Sequence, residues 1–267
     1  MKKTALITGA SSGIGMEFAR VFASEQYDLV LVARREERLK ELAQDLHEKH
    51  GVSVKNIISD LTEVGAARSI YQEVRDNDIV VDVLVNNAGF GGFGEFARSD
   101  LQKMTEMVQV NVAVLMQLTR LFLDDMIARK EGRILNVASM AAFVPGPLMS
   151  VYYASKAFVL SFSEAVASEL KGTGVFITVL CPGPVQSEFQ LVAYRENPSV
   201  TRKRRIPTAA ETARFGYEAM KEKKLIAITG FTNKAIPFFV RLLPRQFLAE
   251  IARRRQELHR KTTHTAG

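Results

Sequence analysis

A chain of 267 residues, 47% apolar and 24% charged, is long enough to bury one large core, which excludes disordered and fibrous classes and points to one α/β domain. Its single cysteine, Cys181, excludes an internal disulfide or a cysteine-based metal cluster, and His47, His50, His259 and His264 lie in charged segments, so no metal site is expected. Net charge is +7, but 16 basic and only 5 acidic residues lie from Val200 onward, leaving 20 basic against 24 acidic before it.

Met1-Lys2-Lys3 leads directly into Thr4-Ala5-Leu6-Ile7-Thr8, an apolar run too short for a signal peptide, so the cytoplasm is the expected compartment. That run predicts a first strand. It ends in Gly9-Ala10-Ser11-Ser12-Gly13-Ile14-Gly15, and Met16 to Ser24 predicts a helix. In such a strand, glycine turn and helix, the glycines let backbone approach a pyrophosphate and the free N–H groups of the helix start attract its charge. Tyr27 to Val32 supplies the second strand and closes a βαβ unit. Where NAD-binding chains place an acidic residue at the end of that strand, this one has Ala33-Arg34-Arg35. Paired guanidinium donors on Arg34 and Arg35 suit a 2′-phosphate, which favours NADP over NAD, although both arginines could simply begin the charged helix Arg35 to His50.

Val52 to Ile58 predicts a third strand ending at Ser59-Asp60-Leu61, with Thr62 capping a helix through Asn77. Ile79 to Val85 is almost wholly apolar, as a strand covered on both faces should be, and leads into Asn86-Asn87-Ala88-Gly89. Ser99 to Arg129 has the periodicity of one helix, with Asn111 inside it among apolar residues. Gly132 to Val137 delivers Ser139, and Val151 to Leu170 is the next helix. The uncharged stretch Ile134 to Ser155 is 22 residues long, but Pro145-Gly146-Pro147 and its hydroxyl groups fit strand, loop and helix start better than a membrane span. Gly174 to Leu180 is the sixth strand, stopped by Cys181-Pro182-Gly183-Pro184. A long loop, Val185 to Pro207, carries Arg202-Lys203-Arg204-Arg205 and precedes a helix from Thr208 to Lys224 and a last strand, Leu225 to Thr229. Alternation throughout predicts a doubly wound, Rossmann-type parallel sheet of about seven strands, with ligands outside the carboxyl ends of the strands.

The candidate chemistry lies on the helix after Ser139. Tyr152 and Lys156 are four apart and share a helix face, and an ammonium beside a phenol favours the phenolate. Such a phenol can give a proton to a carbonyl oxygen, and Ser139 could donate a second hydrogen bond to it. The spacing alone is weak, because Tyr217 and Lys221 repeat it in a charged stretch that predicts a solvated helix face.

Together these motifs resemble the short-chain dehydrogenase/reductase family over about residues 3 to 230, within an expected Rossmann domain of residues 1–230, and a branch of it similar to 3-oxoacyl and 17β-hydroxysteroid reductases. The resemblance implies that Gly9, Ser11, Ser12, Gly13, Ile14 and Gly15 hold cofactor, with Asp60 and Leu61 near the adenine. It also implies cofactor contacts from Asn87, Ala88, Gly89, Pro182, Gly183, Val185 and Ser187, where the family usually has threonine at the last position. Asn111, Ser139, Tyr152 and Lys156 match its catalytic tetrad. Tyr152 would be the general acid, Lys156 would hold the nicotinamide ribose and assist Tyr152, Ser139 would polarise the carbonyl, and Asn111 would anchor a water that resupplies Lys156. NADPH would reduce a ketone or aldehyde, the alternatives being an alcohol or steroid dehydrogenase running in the oxidative direction or a catalytically silent NADP-binding sensor.

Phe90, Phe93, Met140, Ala141, Ala142, Phe143, Val144, Leu148 and Met149 predict an apolar substrate side, suited to a carrier- or CoA-linked acyl chain, with about half of them touching ligand. A homodimer or homotetramer is expected. No nucleic-acid module is recognisable. Residues 231–267 form a basic amphipathic extension, expected to pack on the domain, to cover the site as a lid, to pack against another subunit, or to meet an acyl carrier or an anionic bilayer.

Overall fold

Each apolar strand is followed by an amphipathic helix, and a crossover through a helix returns the chain parallel to the strand it left. The computed structural model describes residues 2–186, 188, 206–230 and 232–264. Seven strands run through it: β1 (Thr4–Thr8), β2 (Asp28–Ala33), β3 (Val54–Ile58), β4 (Val83–Asn86), β5 (Gly132–Val137), β6 (Val175–Cys181) and β7 (Ile226–Ile228). They lie in the order β3-β2-β1-β4-β5-β6-β7 with every neighbouring pair parallel. The chain reverses its direction of travel between β1 and β4, the place where a doubly wound sheet opens a crevice.

The helices are α1 (Gly13–Ser24), α2 (Glu36–His50), α3 (Ala66–Asp76), α4 (Leu101–Val108), α5 (Leu115–Arg129), α6 (Ser150–Glu169), α7 (Ala209–Lys221), α8 (Ile236–Leu242) and α9 (Arg245–His264). Because side chains alternate along a strand, each strand feeds two cores. Ala5 and Ile7 of β1, with Leu29 and Leu31 of β2, pack with Phe18, Phe22, Leu39 and Leu46 of α1 and α2. Leu6, Val30 and Val32 point the other way, towards Ile70, Leu118, Phe122 and Val159 of α3, α5 and α6. Both faces are thereby covered, which is why these strands are nearly continuous apolar runs.

Four sequence expectations are corrected. Thr62 does not cap α3: its N–H and hydroxyl both bond Asp60 Oδ1, at 2.9 and 2.8 Å, and the helix begins after Gly65 in the left-handed region. Ile79 to Val81 precede β4 rather than join it, since β4 starts at Val83. The helix expected over Ser99 to Arg129 starts only after Asp100, whose carboxylate caps it, and is interrupted by a π-helical segment, Gln109–Val114, centred on Asn111. The stretch holding Tyr217 is not a solvated face. Tyr217 is 4% exposed, lies edge-on to Phe22 and donates to Glu25 Oε2 at 3.1 Å. Burial and the nearby Tyr27 and Glu25 push its phenol above the ordinary range, the opposite of what proton transfer near neutrality requires.

Tyr217→Phe should leave turnover intact, because Glu25 keeps Arg214 at 2.7 Å as its partner. Loss of one buried hydrogen bond should cost about 1 kcal/mol, seen as a fall of about 2–4 °C in Tm by calorimetry. A loss of turnover would place Tyr217 in the chemistry.

Candidate active site

Every described residue expected in the site follows the carboxyl end of a strand or lies on a helix packed beside it. Gly9, after β1, has φ +68°, and a side chain there would come within 2.9 Å of Ala88 Cα; one at Gly15 would meet Gly9 O. Only glycine lets these backbones approach. The loop is fixed from below by Thr8, whose hydroxyl accepts the N–H groups of Asn87 and Ala88, both at 3.0 Å. Asn87 returns a bond to Thr8 O at 2.9 Å, so the turns after β1 and β4 hold each other. Beneath them, Asn86 donates to Asn136 Oδ1 and Thr119 Oγ1, and Asn136 donates to Ser163, a polar seam through the buried centre of the sheet.

The two arginines after β2 separate. Arg34 turns to Asp60, 3.3 Å away. Burial opposes ionisation of Asp60, but hydrogen bonds from Thr62 and the Arg34 charge hold its carboxyl below the ordinary range. Arg35 turns to the glycine loop, giving Nε to Ser11 Oγ at 3.1 Å and Nη2 to Ser12 Oγ at 2.6 Å. Its Nη1 reaches Glu188 Oε2 at 2.9 Å, and Arg38 Nη1 reaches Glu188 Oε1 at 2.7 Å. Arg38 and Glu188 border the cleft of ≈ 660 Å³ that Ser11, Ser12 and Gly13 help to line. Neither was expected from the sequence. Arg38 had a signal, since it lies one helical turn after Arg35; Glu188, 150 residues away in sequence, had none.

Apart from that cleft, at the carboxyl end of β5, Ser139 lies in extended backbone, and its Oγ accepts the Ala141 N–H at 3.1 Å, leaving the hydroxyl hydrogen to be donated. Lys156 is 4% exposed, and its Nζ donates to Val137 O at 2.8 Å. Burial pulls its pKa down to about 8, with the field of Cys181 opposing slightly. The same burial pushes the Cys181 thiol up to about 12. Lys156 Nζ lies 6.0 Å from the centre of the Tyr152 ring, so the pair expected from the i,i+4 spacing does meet. Asn111 is fully buried: its Nδ2 donates to Phe90 O and Ser155 Oγ, both at 3.0 Å, and its Oδ1 accepts the Phe90 N–H at 3.1 Å. Ser155 in turn donates to Tyr152 O at 2.7 Å. A side chain at Gly89 would lie 3.0 Å from Asn111 Oδ1 and 3.3 Å from Lys156 Nζ, so the glycine brings these two groups against one backbone.

Of the predicted apolar wall, Phe90, Phe93, Ala141 and Met149 cluster with Tyr152, whereas Met140, Ala142 and Phe143 pack onto the main core. Met107, Val151 and Tyr153 complete the cluster and were not expected. From α9, Gln256 donates to Tyr153 OH at 3.1 Å and lies 3.7 Å from Met149 Sδ, so the C-terminal extension packs on this wall. Pro182, Gly183 and Val185 follow β6, with Gly183 N–H held by Thr229 Oγ1 at 3.0 Å. Ser187 and the cluster Arg202 to Arg205 lie outside the described residues.

The sequence profile of the short chain dehydrogenases matches residues 3–197. The chain belongs to the short-chain dehydrogenase family. Among relatives, a ketoacyl reductase (HetN) of Nostoc sp. is 36% identical over 221 residues, 83% of this chain and 76% of the relative. A short chain dehydrogenase of Pseudocercospora fijiensis is 39% identical over 70% of this chain, and a very-long-chain 3-oxoacyl-CoA reductase of Phaeosphaeria nodorum 38% identical over 65%. This chain spans 60% and 52% of those two relatives' own lengths. A solved short-chain dehydrogenase of Sphingobium yanoikuyae in complex with NADPH superposes with a TM-score of 0.81 at 30% identity, covering 87% of this chain and 90% of that one.

In this family member, Lys156 has a titration that can be read in stability. Its folded pKa lies below the ordinary lysine value of 10.5, so the cost of burying its charge is fully present below about pH 8 and is relieved as pH rises from 8 towards 10.5. Wild type should therefore gain stability relative to Lys156→Met across that window, by at most about 1.4 kcal/mol per pH unit. Denaturant titrations of the two proteins at pH 7, 8, 9 and 10 check it; a constant difference would show that Lys156 does not titrate there.

Proposed function

We propose that the chain uses NADPH to reduce an apolar ketone or aldehyde to the alcohol, a 3-oxoacyl chain being the substrate class that fits best. The observation that carries this reading is the buried Lys156 beside Tyr152, facing an apolar wall. The residues fit the cofactor: the glycine loop at Gly9 and Gly15 offers a backbone cradle that any side chain would fill, and the Arg35 fork lies across Ser11 and Ser12 where a 2′-phosphate can be gripped. Solved relatives described in complex with NADPH and with NADP support the same choice. When bound, NADPH supplies the hydride.

The chain's own residues do the rest. Ser139 gives its hydroxyl hydrogen to the carbonyl oxygen and polarises it. Tyr152 gives its proton to that oxygen as negative charge develops, and the Lys156 ammonium stabilises the phenolate left behind. Lys156 also exchanges protons readily near neutrality, because burial has brought its pKa to about 8. Asn111 and Ser155 hold the backbone at Phe90 and Tyr152, fixing the glycine turn against the catalytic helix. Met107, Phe90, Phe93 and Met149 exclude water from the reacting face and suit an acyl chain. The names of the Nostoc and Phaeosphaeria relatives support a 3-oxoacyl substrate.

Tyr152→Phe should lower turnover on a 3-oxoacyl thioester by about 10² to 10⁴ while NADPH still binds, measured as NADPH oxidation alongside a binding titration. Retained turnover would remove Tyr152 as the acid.

The extension contributes a surface to this reading. While Leu248 and Gln256 face inward, Phe238, Phe239, Leu242, Leu243, Phe247 and Ile251 are exposed, and residues 231–264 carry 8 basic against 2 acidic side chains. Exposed apolar groups within a basic segment suit an anionic bilayer surface, beside which an acyl chain would be presented to the site. Among the described residues no helix is long and apolar enough to cross a membrane. The protein should co-sediment with phosphatidylglycerol vesicles at low salt, and Phe238→Glu with Phe247→Glu should abolish this. Equal binding to neutral vesicles, or a loss of dimer rather than of vesicle binding, would assign the surface to another partner.

A further inference from the structure

Glu188 stands where its own chemistry is least expected. A cleft built to grip a phosphate ester gathers cations, yet here a carboxylate from the segment after β6 sits between two of them, 2.9 Å from Arg35 Nη1 and 2.7 Å from Arg38 Nη1. The other carboxylates bordering the cleft for which a partner is resolved are neutralised locally, Glu17 by Arg20 and Asp45 by Lys49. Glu188 instead draws on the guanidinium group that also spans the hydroxyls of Ser11 and Ser12. A carboxylate and a phosphate monoester present the same planar pair of acceptor oxygens to an arginine fork.

We propose that Glu188 determines cofactor specificity by competing with the cofactor's 2′-phosphate for Arg35 and Arg38. The proposal rests on the NADP(H) reading above and goes beyond it. A 2′-phosphate carries more charge and more acceptor oxygens than a carboxylate, so it wins the contest, but only after breaking both Glu188 pairs. A cofactor with a plain 2′-hydroxyl cannot replace those pairs and leaves Glu188 in place. Glu188 therefore lowers NADP(H) affinity without touching NAD(H) affinity, and narrows the margin between them. Both ion pairs are about half exposed, so the competition is worth a modest factor rather than an absolute switch.

The test is a fluorescence titration of wild type and Glu188→Gln with NADPH and NADH, together with 2′,5′-ADP and 5′-ADP as probes that carry or lack the phosphate. Glu188→Gln should tighten NADPH and 2′,5′-ADP by about five- to tenfold and leave NADH and 5′-ADP within about twofold. Adding Arg38→Gln should abolish the gain. Equal tightening of all four ligands, no change, or weaker NADPH binding would overturn the proposal, the last because it would make Glu188 an organiser of the arginines rather than their competitor. The cofactor reading fails separately: wild type binding NADH more tightly than NADPH would overturn both, whereas a preference for NADPH that Glu188→Gln leaves unchanged would overturn only this one. Glu188 is half exposed, so an unchanged Tm is expected and a common loss of all binding would count against the competition as well.

Discussion

The hydrogen bond from Lys156 Nζ to Val137 O holds the site together, because it is where the cost of burying a charge meets the end of a central strand. Val137 closes β5, and its carbonyl would otherwise look out over the crevice with no further strand residue to pair. The ammonium satisfies it and thereby ties α6 to the strand that presents Ser139. Removal from water makes the lysine charge expensive, and this places its titration near physiological pH rather than above 10. The approach is open only because residue 89 has no side chain. Asn111 then fixes that glycine turn through Phe90, and Ser155 returns the connection to Tyr152. Four groups from three elements are thus positioned by one buried cation and the contacts that permit it.

Most of this framework was legible in the sequence because it depends on local rules. β1 and β5 fall where the apolar runs predict them, since a strand covered on both faces cannot disguise its composition. The glycine turn, Ser139 and the Tyr152–Lys156 pair follow from spacing and from their order along the sheet. What escaped depends on contacts between distant parts of the chain. Tyr217 had the same local pattern as Tyr152, and it is contacts with Phe22 and with Glu25, 192 residues earlier, that reveal it as a core tyrosine. Thr62 obeys the rule for a helix cap, but Asp60 offers its hydroxyl a charged acceptor two residues away, and the stronger bond wins. The π segment at Asn111 has no signature in periodicity, because the surrounding helix resumes with its apolar face still buried. At its centre Asn111 exchanges two hydrogen bonds with the backbone of Phe90, a contact 21 residues away in sequence. The partnership of Arg38 with Glu188 spans 150 residues and could not be read from either neighbourhood.

The arginine cluster and the catalytic helix are built differently. Around Arg35 and Arg38 the charges are about half exposed, so their ion pairs are adjustable and answer to salt. Around Lys156 and Asn111, by contrast, the polar groups are buried and hydrogen-bonded to named backbone and side-chain partners, so geometry is set by packing. A cofactor that spans both would be gripped by adjustable contacts at one end and held to a fixed position at the other.

The backbone shows the same division. Among the described residues, five other than glycine adopt left-handed φ values, and one of them, Leu148, lies in the loop leading into α6 on the substrate side. The other four, Gln26, Asp78, Lys130 and Lys223, each follow a helix and precede a strand, at the amino ends of β2, β4, β5 and β7. Each bears a conformational cost of about 1–2 kcal/mol that glycine would not. These turns lie a full strand length from the crevice and support none of its contacts. The strain at that end is a reserve that can be released without reaching the chemistry, so the durability of this chain and its reactivity are open to change independently of each other.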